Sequence, residues 1–341
     1  MPPTTVSLAW RFARHSLSVV HPFEVQANVT NRCNFNCRFC ECPDIHQTEM
    51  NTAQWFEVIH GLRRLGGIRF KFQGGEPSLR ADFGELAAEA QRVGLVTAIT
   101  TNGSIFAARP ELLEHLDEVM FSLDSPRPET NDYLRKPGSH ALVLAAIREA
   151  TARGKKVSLN MTVSRRNLAH VEEMLDLCES LGVLFHAQWL GNFWAYATRD
   201  SGPDALTDQE IRDLHRQMAA WKREGRLVLF AEESYLYTSR WSDFSAPMRR
   251  GPDATDCVAG RSYFHIEPNG DVYPCGFLVG QMAARNALID GLAPALAHAR
   301  RHHCQDCAMT YLNERKFLFK LKPFAVRALL ARNRAWPHAR G

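Results

Sequence analysis

Short runs rich in β-branched and aromatic residues alternate, through the first half of the chain, with stretches whose apolar residues recur at helical spacing. Residues 25–30, 68–73, 96–101, 119–123, 156–163 and 183–189 read as strands; 52–65, 83–93, 142–152 and 168–181 read as helices. Such alternation implies parallel strands joined by right-handed crossovers. Six units predict an α/β fold built on a partial (β/α)6 TIM-like barrel, short of the eight units of a closed one. Further on, residues 266–275 read as a β-hairpin turning at Asn269-Gly270. The expected organisation is a lead-in (1–23), a barrel core (24–225), a small cysteine-rich domain with the hairpin (226–314) and a basic amphipathic tail (315–341).

Composition narrows the function classes. With 341 residues, 45% of them hydrophobic, there is ample material for one large domain and a small one. A net charge of +4 is too small to argue for nucleic acid. No apolar run approaches the ~20 residues that span a bilayer. In the lead-in, Arg11, Arg14 and His15 interrupt any signal-peptide core, which leaves an amphipathic helix as the expectation. Seven of the nine cysteines fall in two groups, a pattern of metal ligands and not of a disulfide framework, and so of a reducing cytoplasm. After Glu314 come eight Lys/Arg and no acid, interleaved with Phe317, Leu318, Phe319, Leu321, Phe324, Val326, Leu329 and Leu330. Such a tail either docks on its own domain or lies on an anionic membrane surface.

The first cysteine group is Cys33-Asn34-Phe35-Asn36-Cys37-Arg38-Phe39-Cys40. Three thiolates this close can hold three irons of a [4Fe–4S] cluster and leave the fourth iron open to something that is not protein. A structural zinc site is the alternative, with Cys42 or His46 as fourth ligand. The CxxxCxxC spacing, with the aromatic Phe39 before the last cysteine, resembles the signature of the radical S-adenosylmethionine (SAM) superfamily. The resemblance covers residues 24–190. It implies that the open iron chelates SAM and that an electron from the cluster releases a 5′-deoxyadenosyl radical able to abstract hydrogen from an unactivated C–H bond.

Further motifs fall at successive strand ends, where a parallel barrel places its chemistry. Gly74-Gly75-Glu76-Pro77 matches the family's GGEP, which binds the SAM amino group. Thr101-Asn102-Gly103 matches a TNG at the end of the third strand. Ser122-Leu123-Asp124 matches a Ser-x-Asp that contacts methionine or ribose hydroxyls, and Asn160 a polar position that touches SAM. Arg135, just past the fourth strand, is a partner for the SAM carboxylate. Alone, Gly-Gly-Glu-Pro and Thr-Asn-Gly read as turns and Asn160 as a structural polar residue; their order and placement carry the resemblance.

Cys257, Cys275, Cys304 and Cys307 form the second group. They resemble a twitch domain, the short relative of SPASM domains, which implies one auxiliary [4Fe–4S] cluster; four thiolates also suit zinc. Full ligation by cysteine leaves no iron free for substrate, so the expected role is electron transfer during an oxidation.

Other residues read more plainly. Cys42 is a candidate hydrogen-atom donor or a packed thiol, and Cys178 is core. The aromatic run 189–196 either walls a substrate pocket or packs between domains. Asp44, His46, His186 and Gln188 are candidates to face substrate. The expected enzyme is oxygen-sensitive and oxidoreductase- or isomerase-like, acting on a small metabolite or natural-product intermediate and fed by a low-potential reductant such as flavodoxin or ferredoxin. Peptide modification is the first alternative, against which the short stretch before the first strand leaves little room for a leader-recognition domain. A non-catalytic iron–sulfur or zinc protein is the second.

Overall fold

A computed structural model describes residues 22–191, 202–249, 257–302 and 304–335. Strands β1 (Glu24–Thr30), β2 (Arg69–Gly74), β3 (Val96–Thr101), β4 (Glu118–Ser122), β5 (Lys156–Val163) and β6 (Leu184–Trp189) pair in parallel, each with the next. Asn28 of β1 and Gln188 of β6 line the same cavity although four strands separate them. The sheet therefore curls into the expected partial barrel.

Between strands run helices α1 (Thr52–Arg64), α2 (Phe83–Arg92), α3 (Pro128–Leu134), α4 (Ser139–Ala152) and α5 (Val171–Ser180). Helix α1 starts at a capping box between Asn51 and Gln54. Helix α3 escapes the sequence reading because seven residues opening on Arg127-Pro128 carry too little periodicity.

The strands alternate as half-buried strands do, but both faces are covered. On β1, Val25, Ala27 and Val29 are fully buried in the apolar layer under the helices, whereas Glu24, Gln26, Asn28 and Thr30 are buried in the lumen. Polar groups buried there need partners. Arg315 and Arg69 both donate to Glu24, and Arg69 also donates to Glu118. The lumen is thus a polar channel and not a packed apolar core.

Past the barrel, α6 (Asp208–Arg223) and α7 (Glu232–Ser239) pack on each other, and β7 (Met248–Arg249) pairs with β11 (Asp306–Cys307). The hairpin forms as expected from β8 (Tyr263–Ile266) and β9 (Asp271–Tyr273), with Gly270 at φ 93° in the turn. Its position is new: β8 adds in parallel to the free edge of β1, and β10 (Arg285–Asn286) extends β9, so nine strands make one sheet. Helix α8 (Leu292–Ala299) leads to the last two cysteines.

The tail forms α9 (Thr310–Phe319) and α10 (Pro323–Ala335). Three of its charges turn inward, while Lys320, Lys322 and Arg327 are exposed. Arg315 donates to Glu24 at 2.7–3.2 Å, Lys316 pairs with Asp306 at 2.9 Å, and Arg332 lies in the field of Glu118 and Glu314. This is the docked arrangement, with the basic residues neutralising the barrel's lower end. The lead-in (1–21) and the tail end (336–341) lie outside the described residues. Among those described, no helix is long and apolar enough to cross a membrane.

Candidate functional site

The loop after β1 carries the cysteine triplet, and its shape is set by how closely β2 approaches. Gly74 sits at φ 133°, and a Cβ there would lie 2.1 Å from the Thr30 carbonyl oxygen. At Gly75 a Cβ would lie 2.3 Å from the Arg32 oxygen and 2.5 Å from that of Asn31. Only glycine fits. That approach lets the Gly75 amide donate to Thr30 (2.8 Å) and the Glu76 amide donate to Arg32 (2.9 Å). The paired glycines therefore lock GGEP to the start of the cysteine loop.

The other side of the loop is tied to the α3 end. The Arg38 amide donates to the Leu134 oxygen (2.9 Å) and Lys136 Nζ to the Asn34 oxygen (2.9 Å). Asn102 Nδ2 donates to Asn34 Oδ1 (2.9 Å) and lies 3.7 Å from Cys33 Sγ, while the Phe35 amide points at the same sulfur from 3.4 Å.

A cavity of about 280 Å³ opens at the carboxyl ends of the strands. The structure brings Cys33, Cys37, Phe39, Cys40, Cys42, Gly74, Gly75, Thr101, Asn102, Ser122, Arg135 and Asn160 to its wall. All come from motifs legible in the sequence. Unforeseen lining residues are Asn28, Gln73, Thr100 and Thr162, which point inward only because their strands curl. Of the residues expected near substrate, Gln188 lines the cavity; Asp44 and His46 are exposed, and His186 is buried against Phe230 and Tyr235. Trp189, Leu190 and Gly191 also line it, while Phe193, Trp194 and Tyr196 lie outside the described residues.

Two expected cofactor contacts are not on the wall. Glu76 is fully buried, and its carboxylate accepts from the Ser78 amide and hydroxyl, the Thr101 hydroxyl and the Asn102 amide at 2.6–3.1 Å. Burial raises its pKa, against the pull of those donors. Asp124 is also fully buried. It pairs with Arg135 (Nε to Oδ2, 2.6 Å) and accepts from the Thr162 amide (2.8 Å). Both carboxylates spend themselves on their own protein: one joins the GGEP and TNG segments, the other fixes Arg135 and the end of β5. Arg135 stays on the wall with its guanidinium already paired, and its carbon lies 5.8 Å from the Phe39 ring centre.

Burial pushes the Cys33 and Cys37 thiols up to about 11, with Arg135 opposing the rise at Cys37. Thiols so raised need a cationic centre to ionise, and this is what an iron cluster supplies. None of the nine cysteines forms a disulfide. In the second group all four thiols are buried. Cys257 and Cys307 hydrogen-bond each other, and Cys275 lies in the field of Cys257 and Cys304. Among the described residues, no three His, Cys, Asp or Glu side chains converge tightly enough for one metal ion. Tetrahedral zinc, with Zn–S bonds of ~2.3 Å, would draw four sulfurs to within roughly 4 Å of one another. Four buried thiols suit such a site, and they also suit a [4Fe–4S] cluster, whose ligands are spread over separate irons.

Comparison with known proteins agrees with this architecture. Residues 27–178 match the sequence profile of the Radical SAM superfamily. The chain is 26% identical over 270 residues to the PqqA peptide cyclase of Gluconobacter oxydans, covering 74% of this protein and 70% of that one. It is 29% identical over 268 residues to the PqqA peptide cyclase of Ruegeria pomeroyi, covering 76% and 69%. Among solved structures, Streptococcus suis SuiB bound to S-adenosylmethionine superposes with a TM-score of 0.65 at 19% identity, over 85% of this protein and 70% of that one. Native anSMEcpe with bound AdoMet gives 0.63 at 17%, over 92% and 100%. A cysteine triplet on a cavity wall, a GGEP loop locked to it by glycine and a matching profile across those strands make residues 27–178 similar to the radical SAM superfamily.

Proposed function

We propose that this protein is a radical SAM enzyme that modifies a peptide by attack on a C–H bond of one of its residues, with Cys33, Cys37 and Cys40 holding the reactive cluster. The observation that carries the reading is the meeting of those three cysteines with Gly74, Gly75, Thr101, Asn102, Ser122 and Asn160 around one cavity. Bound there, a [4Fe–4S] cluster and SAM supply a carbon-centred oxidant strong enough to take hydrogen from an unactivated carbon. The protein's own part is to position and to shield. Gly74 and Gly75 hold the GGEP segment against the cysteine loop, Ser122 and Asn160 offer hydrogen bonds from adjacent strands in register, and Phe39 and Arg135 form one side of the cavity. Cys257, Cys275, Cys304 and Cys307, within the auxiliary region 226–314, would hold the second cluster and accept an electron from the substrate.

The peptide substrate is favoured over a small metabolite by the relatives. Those at 26–29% identity are named peptide cyclases, and one SuiB structure is bound to its precursor peptide. After anaerobic reconstitution with iron and sulfide, the protein should convert SAM to 5′-deoxyadenosine under dithionite, and a Cys33→Ala variant should not. Adding peptides encoded near its gene should then yield one that loses mass or gains a cross-link by mass spectrometry. SAM cleavage with every such peptide unchanged, but with a small metabolite oxidised, would return the reading to the metabolite class.

A further inference from the structure

Lys71 is a buried amine on the inner face of the barrel with no oxygen acceptor among the described residues. It is 9% exposed, and since β2 turns this position inward, that exposure opens to the lumen. Among the described residues its Nζ reaches only the thioether of Met120, at 4.0 Å. Met120 pairs in register with Thr100, and Gln73 lies two residues beyond Lys71 on the same face; both Thr100 and Gln73 line the cavity. His186, which lies in the field of Lys71, pairs in register with Asn160, another lining residue. The amine thus rises to the layer directly beneath the cavity floor.

The neighbouring carboxylates are committed elsewhere. Glu24 is engaged by Arg315 and Arg69, and Glu118 by Arg69. Arg69 and Arg315 add like charge, and buried His186 offers none in return. Burial, with help from Arg69 and Arg315 and against the pull of Glu24 and Glu118, lowers the Lys71 amine to about 7. A buried amine without an oxygen partner is costly to keep unless something supplies one.

We propose that Lys71 is the polar anchor at the floor of the substrate cavity, where it receives a carboxylate of the substrate, as from an aspartate or glutamate side chain. This rests on the cavity being the substrate pocket, and it adds the chemical class of the group that enters deepest. Two resident arginines close the barrel below, so the anchor is also a depth stop for whatever enters.

The test is a titration of the reconstituted protein labelled with [13Cε]lysine, with the Lys71 resonance assigned by its loss in Lys71→Met, or in Lys71→Arg should the first variant not fold. Glutarate, a minimal dicarboxylate, should raise the titration midpoint of Lys71 by about one to three pH units, as a carboxylate beside a cation does. Its uncharged diamide should leave it in place. A Lys71 midpoint that glutarate does not move, or that the diamide moves equally, overturns the proposal. SAM cleavage by the native protein is read separately, so an enzyme that cleaves SAM while glutarate leaves Lys71 unmoved refutes the anchor and spares the reaction class.

Discussion

Glu76 and Asp124 act on the cavity through other groups. Each is the hub of a buried set of hydrogen bonds, so each substitution has a structural signature apart from ligand contact. Glu76→Ala strands the donors of Ser78, Thr101 and Asn102, each a buried group left without its acceptor. The expected cost is roughly 1–3 kcal/mol in denaturant unfolding, with weaker SAM binding because the TNG turn loses its tie to GGEP. Asp124→Asn removes the counter-charge of a buried arginine, and roughly 3–5 kcal/mol should be lost in the same measurement. If either variant unfolds like the native protein, the hub role is wrong. The sequence displays GGEP and Ser-x-Asp as runs and so marks the neighbourhood correctly. It does not tell whether a carboxylate faces a ligand or its own protein, because Thr101 and Arg135, which decide the matter, are brought in by other elements.

At the scale of elements, the contact between the β2 end and the cysteine loop is the joint on which the cavity depends. Gly75→Ala would push a methyl into two carbonyl oxygens. An expected loss of about 1–3 kcal/mol, typical of overpacking, should appear as a lower Tm together with reduced iron uptake on reconstitution. Normal iron uptake at native Tm would contradict the joint. All six barrel strands are legible from their β-rich runs, with the bounds of β1, β2, β4 and β6 shifted by one residue. The hairpin is legible from Asn269-Gly270. Its pairing with β1 is not, because the partner of an edge strand is set by tertiary packing and leaves no local mark. Nor is the polar lumen: Gln26 and Lys71 alternate with Val25, Ala27, Phe70 and Phe72 just as solvent-facing residues would, and only curling of the sheet turns them inward.

For the molecule as a whole, the basic tail is part of the barrel. Burial alone would raise the Glu24 carboxyl, but Arg315 and Arg69 overcome it and hold it at about 2, down from 4.5. A lowered carboxyl contributes stability that is present above pH 4.5 and is lost as the pH falls through about 2. In Arg315→Ala that loss should begin at higher pH, so acid unfolding followed by circular dichroism should shift upward relative to the native protein. An unshifted midpoint would mean that the tail contributes no counter-charge. The same tail places Lys316 beside Asp306, next to Cys307, so with Arg315 on Glu24 it links β1 of the barrel to the second cysteine region.

Iron content after anaerobic reconstitution, native protein against a Cys33/Cys37/Cys40→Ala variant, tests the central claim most directly. Two independent cubanes require about eight irons falling to about four, since each [4Fe–4S] cluster brings four. About four irons in the native protein and none in the variant would contradict the account, because the buried quartet of Cys257, Cys275, Cys304 and Cys307 would then hold no cluster and have no part in accepting an electron.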